Sequence, residues 1–332
     1  VTRLPLPALD GRTPLGFLAA LGVLRLLTER CATPAKLGWS TVDCTAVVTG
    51  TRGGIDELVD DLTAVVRSIP PDGVLPGLPT DLPPPGEAPD RLRLPRLKLA
   101  EYAGTVWQDA GADGERWMAS LVTDLSLDDQ GRADISLYTA PSGKQSMRTM
   151  LEKPLRIVQK HPEVLREALV SWRRHAGVSG EYLDHRVLYA AADAPDGTSR
   201  ERGVPGATWL ALMAYPLLRT TVTDGKPVTT GWQYPTGRER DRRLTYPLWS
   251  TPVGTDTVIA LLDHPVLTGA DPGVPPAAAR ALSVFLVCAA ARRRIPGRTF
   301  AGALAPIPPA TPTPGRRRRT PNTAGTAAGP WR

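Results

Sequence analysis

From Pro14 to Leu27 the chain carries a single polar side chain, Arg25, among apolar residues and glycine. A helix that is apolar on every side has no face for water, so the fold has to wrap around it. The start is well marked. Asp10-Gly11 makes a turn, Thr13 is a suitable N-cap, and Pro14 at the first helical position gives up an N–H that would have no partner anyway. Gly16, Ala19, Ala20 and Gly22 are small enough to let another backbone come close. The segment predicts a central helix over Pro14–Arg30.

The remaining patterns predict an α+β protein of mixed helices with short antiparallel strands and hairpins. Lys36–Ser40 and Thr45–Val48 read as strands, and Ile55–Ile69 as an amphipathic helix with acids in its first turns. Pro70–Pro89 is proline-dense and reads as a polyproline-like arm. Arg91–Leu99 alternates with period two on either side of Pro95, which predicts an edge strand with a bulge. Helices are expected over Gly114–Leu125, Lys144–Val158 with an interruption at Pro154, Pro162–His175, Gly206–Leu218 and Asp256–Leu262. Strands are expected over Ala133–Thr139, Gly231–Tyr234 and Leu244–Ser250, with a tight Asp224-Gly225 hairpin between them in sequence. Pro275–Arg294 reads as a last long helix ending on Arg292-Arg293-Arg294, where the helix dipole favours cations. Residues 1–310 are therefore read as one large domain, with 70–90 as the place where it would subdivide. Residues 311–332, rich in Pro and Arg, are read as a disordered basic tail. There is no internal repeat.

Charge and cysteine usage narrow the function. The net charge of the 332 residues is +7. Arg316–Arg319 supply four of those charges, which leaves about +3 elsewhere. A basic balance favours polyanions, although Arg-rich composition and the tail account for much of it. Cys31, Cys44 and Cys288 are odd in number and far apart, which argues for a reducing compartment with no disulfide framework or zinc ribbon. The four histidines are scattered, so neither a metal nor a cofactor is expected. The first helix lacks the basic flank and cleavage site of a secretory leader, and no apolar run reaches about 18 residues. A cytoplasmic protein without a membrane span is expected.

Three segments could carry chemistry. Pro141-Ser142-Gly143-Lys144-Gln145-Ser146-Met147-Arg148 places a turn, a helix start, Lys144, Gln145 and Arg148 together, which suits a phosphate. It is not a P-loop, because Tyr138 stands where the first glycine belongs and Gln145 follows the lysine. The same residues also fit a capped helix N-terminus with surface cations. Trp232-Gln233-Tyr234 followed by Arg238, Arg240, Arg242 and Arg243 makes an aromatic and basic hairpin able to grip a nucleic-acid backbone. Glu239 and Asp241 offset two of those charges, so a locally paired solvated loop is the alternative. Gly180–Arg186, with Asp193 and Asp196 after it, is dense in ionisable groups. Asp184 and His185 are adjacent in sequence and do not face each other as a catalytic pair does, so a salt-bridged structural cluster is favoured there.

One resemblance enters at the first helix. Leu9-x-Gly11-x-x-Pro14-Leu15-x-Phe17-Leu18-Ala19-Ala20-Leu21-Gly22-Val23-Leu24-Arg25-Leu26 resembles the N-terminal signature of type I-U (I-G) CRISPR-associated proteins of the large-subunit and accessory families. The resemblance implies a non-catalytic component of an antiviral ribonucleoprotein. Its partners would be guide RNA or target DNA, held by the backbone, and other effector subunits. No catalytic residue is carried over. Two other readings stay open: a metal-dependent nuclease or phosphohydrolase using Glu181–Arg186 with Asp193 and Asp196, and a protein-binding scaffold whose apolar first helix docks a partner.

Overall fold

The computed structural model describes residues 3–86, 92–139, 146–188, 201–238, 241–267, 269–293 and 302–309. The proposed 311–332 tail lies outside them. The described residues form an α+β fold in which helices pack among short antiparallel sheets.

The chain opens with strand β1 (Arg3–Asp10), which sequence patterning did not predict. Pro5 and Pro7 hide it, yet an edge strand tolerates proline, and β1 is an edge of the sheet β1-β3-β2. Helix α1 (Pro14–Glu29) follows as expected, with Thr13 Oγ1 accepting from Gly16 N. Every residue from Pro14 to Leu27 is buried. The idea that α1 docks a partner is thereby overturned, because the chain's own elements cover it. Strands β2 (Lys36–Trp39) and β3 (Thr45–Thr49) complete the sheet, and α2 (Ile55–Arg67) runs where its apolar spacing put it.

Of the edge strand expected at Arg91–Leu99, Arg91 lies outside the described residues, Pro95 makes an isolated antiparallel bridge to Arg132, and from Arg96 the chain is helix α3 (Arg96–Leu121), with Pro95 as its N-cap. Leu99, Tyr102, Ala103, Val106 and Ala110 repeat at helical spacing and pack toward the core. That stripe outweighs the short alternation before it. The predicted Gly114–Leu125 helix stops at Leu121, and β4 (Val122–Leu127) takes the rest and pairs with β5 (Ala133–Ile135). Helix α4 (Met147–Lys160) is capped by Ser146 and runs straight through Pro154. Helix α5 (Glu163–Val170) is shorter than predicted, since His175–Ala176 (β6) leaves it to pair with Arg202–Gly203 (β7).

Helix α6 (Pro205–Met213) is buried over its whole length, like α1. The two meet at a close backbone approach, where a Cβ on Gly22 would lie 1.8 Å from Leu210 O. Arg25 sits at this junction, fully buried. It donates to Met213 O at 2.9 Å, pairs with Glu29 at 2.8 Å and with Asp113 at 3.3 Å, and lies over the Trp117 ring.

Strands β8 (Thr220–Thr223) and β9 (Lys226–Thr229) form the predicted hairpin, with Asp224 and Gly225 both at positive φ. A second sheet comes next in the order β10-β11-β12-β13, all antiparallel: β10 is Trp232–Gln233, β11 Arg243–Trp249, β12 Val284–Arg293 and β13 Ala303–Ile307. Between β11 and β12 lie α7 (Thr255–Leu262) and the short α8 (Ala277–Ala281). The predicted long helix Pro275–Arg294 is thus a short helix and then a strand of 10 residues. Ser283 at φ 64° ends the helix, and β11 and β13 satisfy the backbone of β12 on both sides. The two sheets join at Leu37, whose carbonyl accepts from Trp249 Nε1 at 2.7 Å. Phe17, Trp39, Tyr246 and Trp249 pack around that joint, with Phe17 and Tyr246 centroids 4.3 Å apart.

Candidate functional site

Strand register decides where the cations gather. Leu244 faces Ala290 across the β11–β12 ladder, so Arg242 and Arg243, entering β11, lie beside Arg292 and Arg293, leaving β12. On the other side Arg292 pairs with Leu304 and Arg293 with Ala303 of β13. The Gly180–Arg186 segment docks at the same end, where His185 N donates to Leu304 O at 2.9 Å. Segments far apart in sequence therefore bring their charges to one end of one sheet.

The arginines there divide into pins and exposed charges. Arg292 is a pin. Burial pulls its pKa down to about 10, with Arg242 adding to the effect and Tyr215 opposing it. It donates to Leu137 O, Tyr138 O and Gly302 O at 2.8–3.1 Å and lies over the Trp232 ring. Arg174 is held by Asp184, Nη2 to Oδ2 at 2.5 Å, and by Arg202 O. Arg186 is half-exposed over the Trp172 ring with its Nε 3.6 Å from Asp184 Oδ1, and Arg293 is exposed. His185 registers this field. Burial lowers its pKa, Asp184 works the other way, and Arg186, Arg293 and Arg174 push it down further.

The basic hairpin is only partly as expected. Arg238 is exposed and its carbonyl accepts from Asp241 N. Arg242 is half-buried and close enough to Arg292 to act on it. Arg243 is largely buried and donates to Ala270 O at 3.1 Å and Asp271 at 3.2 Å, so it ties down the 270–271 segment. Arg240 lies outside the described residues. Trp232, expected to offer a stacking face, is 2% exposed beneath Arg292 and Tyr138. Tyr234 is half-buried, with its hydroxyl on Pro227 O.

At the turn before α4, Lys144 and Gln145 lie outside the described residues. Arg148 is described, and it faces a different task from the phosphate contact expected of it. Its guanidinium donates to Thr80 O at 2.7 Å, Pro83 O at 2.9 Å and Asp72 O, three carbonyls of the proline-rich arm. A fork with its donors spent on carbonyls clamps that arm to α4.

The Gly180–Arg186 block is strained and well tied. Gly180, Glu181 and Tyr182 run in succession at φ 58°, 50° and 57°. For the two non-glycine residues this left-handed backbone costs about 1–3 kcal/mol each. Ser179 Oγ donates to Glu181, and Tyr182 Oη to Glu201 at 3.0 Å. Asp184 is 3% exposed and accepts from Arg174 and from Arg186 N. Its Oδ1 also lies 3.6 Å from both His185 Nδ1 and Arg186 Nε, so the adjacent aspartate and histidine do meet, against expectation. Asp193 and Asp196 lie outside the described residues, and among those that are described no group of three or more His, Cys, Asp or Glu is placed to hold a metal ion.

Sequence reading missed Arg293 because it placed the Arg292–Arg294 run at a helix C-terminus. The signal available was Val284-Phe285-Leu286-Val287, a β-prone run. Comparison with protein-family models and with curated proteins returns no match for this chain.

Proposed function

We propose that this chain is a non-catalytic nucleic-acid-binding subunit or accessory protein of a type I-U CRISPR antiviral effector complex, working in the cytoplasm and touching guide RNA or target DNA by its phosphates. The family assignment rests on the resemblance over Leu9–Leu26. Phosphate contact is supported by one observation: Arg186, Arg242 and Arg293, from three separate segments, converge on one end of the second sheet. Arginines that neutralise phosphates hold a nucleic-acid backbone and fix its register without reading its sequence. Among the described residues no helix is long and apolar enough to cross a membrane, and the three cysteines are free thiols, both in keeping with the reading.

The test is affinity for single-stranded RNA and double-stranded DNA over a salt series, on the full chain and on a chain ending at Pro312. The reading expects binding that survives removal of the tail, weakens steeply with salt and shows little sequence preference. Binding lost with the tail, or indifferent to salt, overturns it.

A further inference from the structure

Leu97 is 78% exposed and Trp107 is 53% exposed, and both stand on the first arm of α3. Gly111, at φ 54° and ψ −143°, breaks the helix and ends that arm, residues 96–110. Leu99 and Val106 bury its inner side in the core, with Tyr102, Ala103 and Ala110 packed beside them. Between the two exposed side chains lie Ala100, also exposed, and Gly104, whose missing Cβ would meet nothing within 4 Å. A leucine and a tryptophan left in water on one open face forgo apolar burial that a partner can supply.

The spacing says which partner. Leu97, Ala100, Gly104 and Trp107 follow one another at intervals of three, four and three positions. At about 100° per residue the four fall within about 80° of the helix circumference, the arc of a coiled-coil seam. The order is also a palindrome, since large, small, small, large reads the same from either end. An isologous two-fold contact requires such self-complementarity, and a foreign partner does not. Two arms laid antiparallel, with the two-fold axis level with Tyr102, bring Leu97 of each copy to Trp107 of the other and Ala100 to Gly104. The small residues at the centre let the helix axes approach closely.

The flanks fit the same arrangement. Arg96 lies about 20° around the helix from Trp107, on one flank of the seam. Its side chain is 56% exposed, and its bonds to Asp124 O hold it at this end of the arm. An antiparallel two-fold sets like flanks together, so each Arg96 reaches the Trp107 ring of the other copy in a cation–π contact. On the opposite flank Glu101 nears its own mate, and Lys98, 2.8 Å from it, neutralises it within each copy. We propose that the outer face of this arm binds a second copy of the chain, antiparallel, as a reversible homodimer. One helix seam is small beside the roughly 1,600 Å² of a standard interface, so the dimer is weak. The inference does not depend on phosphate contact at the second sheet.

The test is sedimentation velocity of the full chain over about a hundredfold range of concentration, where the population of a dimer follows mass action. The parent chain should pass reversibly from monomer to dimer as concentration rises. Trp107→Arg sets a cation against Arg96 of the other copy and should weaken the dimer about tenfold or more. Trp107→Glu meets the same Arg96 with opposite charge and should weaken it less. Adding Arg96→Glu to Trp107→Arg makes both contacts attractive again and should recover most of the loss. These side chains are exposed, so the variants should keep the thermal midpoint of the parent monomer. Leu97→Arg repeats the break at a second exposed residue should Trp107→Arg fail to fold. A parent chain that stays monomeric throughout, a dimer indifferent to Trp107→Arg, or equal weakening by Trp107→Arg, Trp107→Glu and the double variant overturns the proposal.

Discussion

Two glycines show how the same substitution acts through different physics. Gly22 faces the backbone of α6, and a methyl there would collide with Leu210 O. Gly22→Ala gains about 1 kcal/mol of helix propensity and loses more to overpacking between two buried helices. We expect a net loss of about 2 kcal/mol or more in urea unfolding. Gly225 sits at φ 72° with nothing near its missing Cβ. Gly225→Ala should cost only the left-handed backbone penalty, about 1 kcal/mol. Equal losses at the two sites would contradict the close α1–α6 contact. His185 gives a pH dependence. Its folded pKa lies below the ordinary value through burial and the charges of Arg186, Arg293 and Arg174, with Asp184 opposing. The unfolded chain thus takes up the proton first, near about pH 6.5. The contribution is full above that pH and is lost as pH falls through the lower folded pKa. Between about pH 7.5 and about pH 5.5 the parent chain should lose more stability than His185→Gln, and equal losses would contradict this field.

At the scale of elements, what could be read from sequence was what local periodicity decides. The burial of α1, the β8–β9 turn and the spacing of α2 all follow from patterns spanning one element. Elements decided by distant neighbours were missed. β12 contains Ala289-Ala290-Ala291, good helix formers, yet it is a strand because β11 and β13 flank it. The start of α3 alternates like a strand, and only the longer stripe from Leu99 to Ala110 reveals the helix. The site suffered most from this limit. Arg242 was legible as part of a basic loop, but its meeting with the Arg292–Arg293 end of β12 depends on a sheet register that no local pattern encodes. The reassignment of Arg148 has a direct check. Arg148→Met should release the carbonyls of Asp72, Thr80 and Pro83 and speed proteolytic cutting within 70–86 several-fold, with little change in nucleic-acid affinity. An unchanged cutting rate together with weakened affinity would return Arg148 to the binding surface.

For the whole molecule, one hydrophobic core runs through both sheets. The first sheet, α1 and α6 concentrate apolar burial, and the aromatic joint around Leu37 couples them to the second sheet. The second sheet carries cations at one end. A rigid sheet holding charges from separate segments at fixed spacing loses little entropy when a polyanion binds, unlike a disordered basic tail. Whether this sheet end neutralises phosphates is tested most directly by the salt dependence of single-stranded RNA binding, compared between the parent chain and Arg186→Ala/Arg242→Ala/Arg293→Ala. The triple variant should show a shallower slope, by about 0.7 for each phosphate it no longer neutralises, with weaker binding at every salt concentration. An unchanged slope and affinity in a variant that folds normally would contradict a phosphate-binding sheet end.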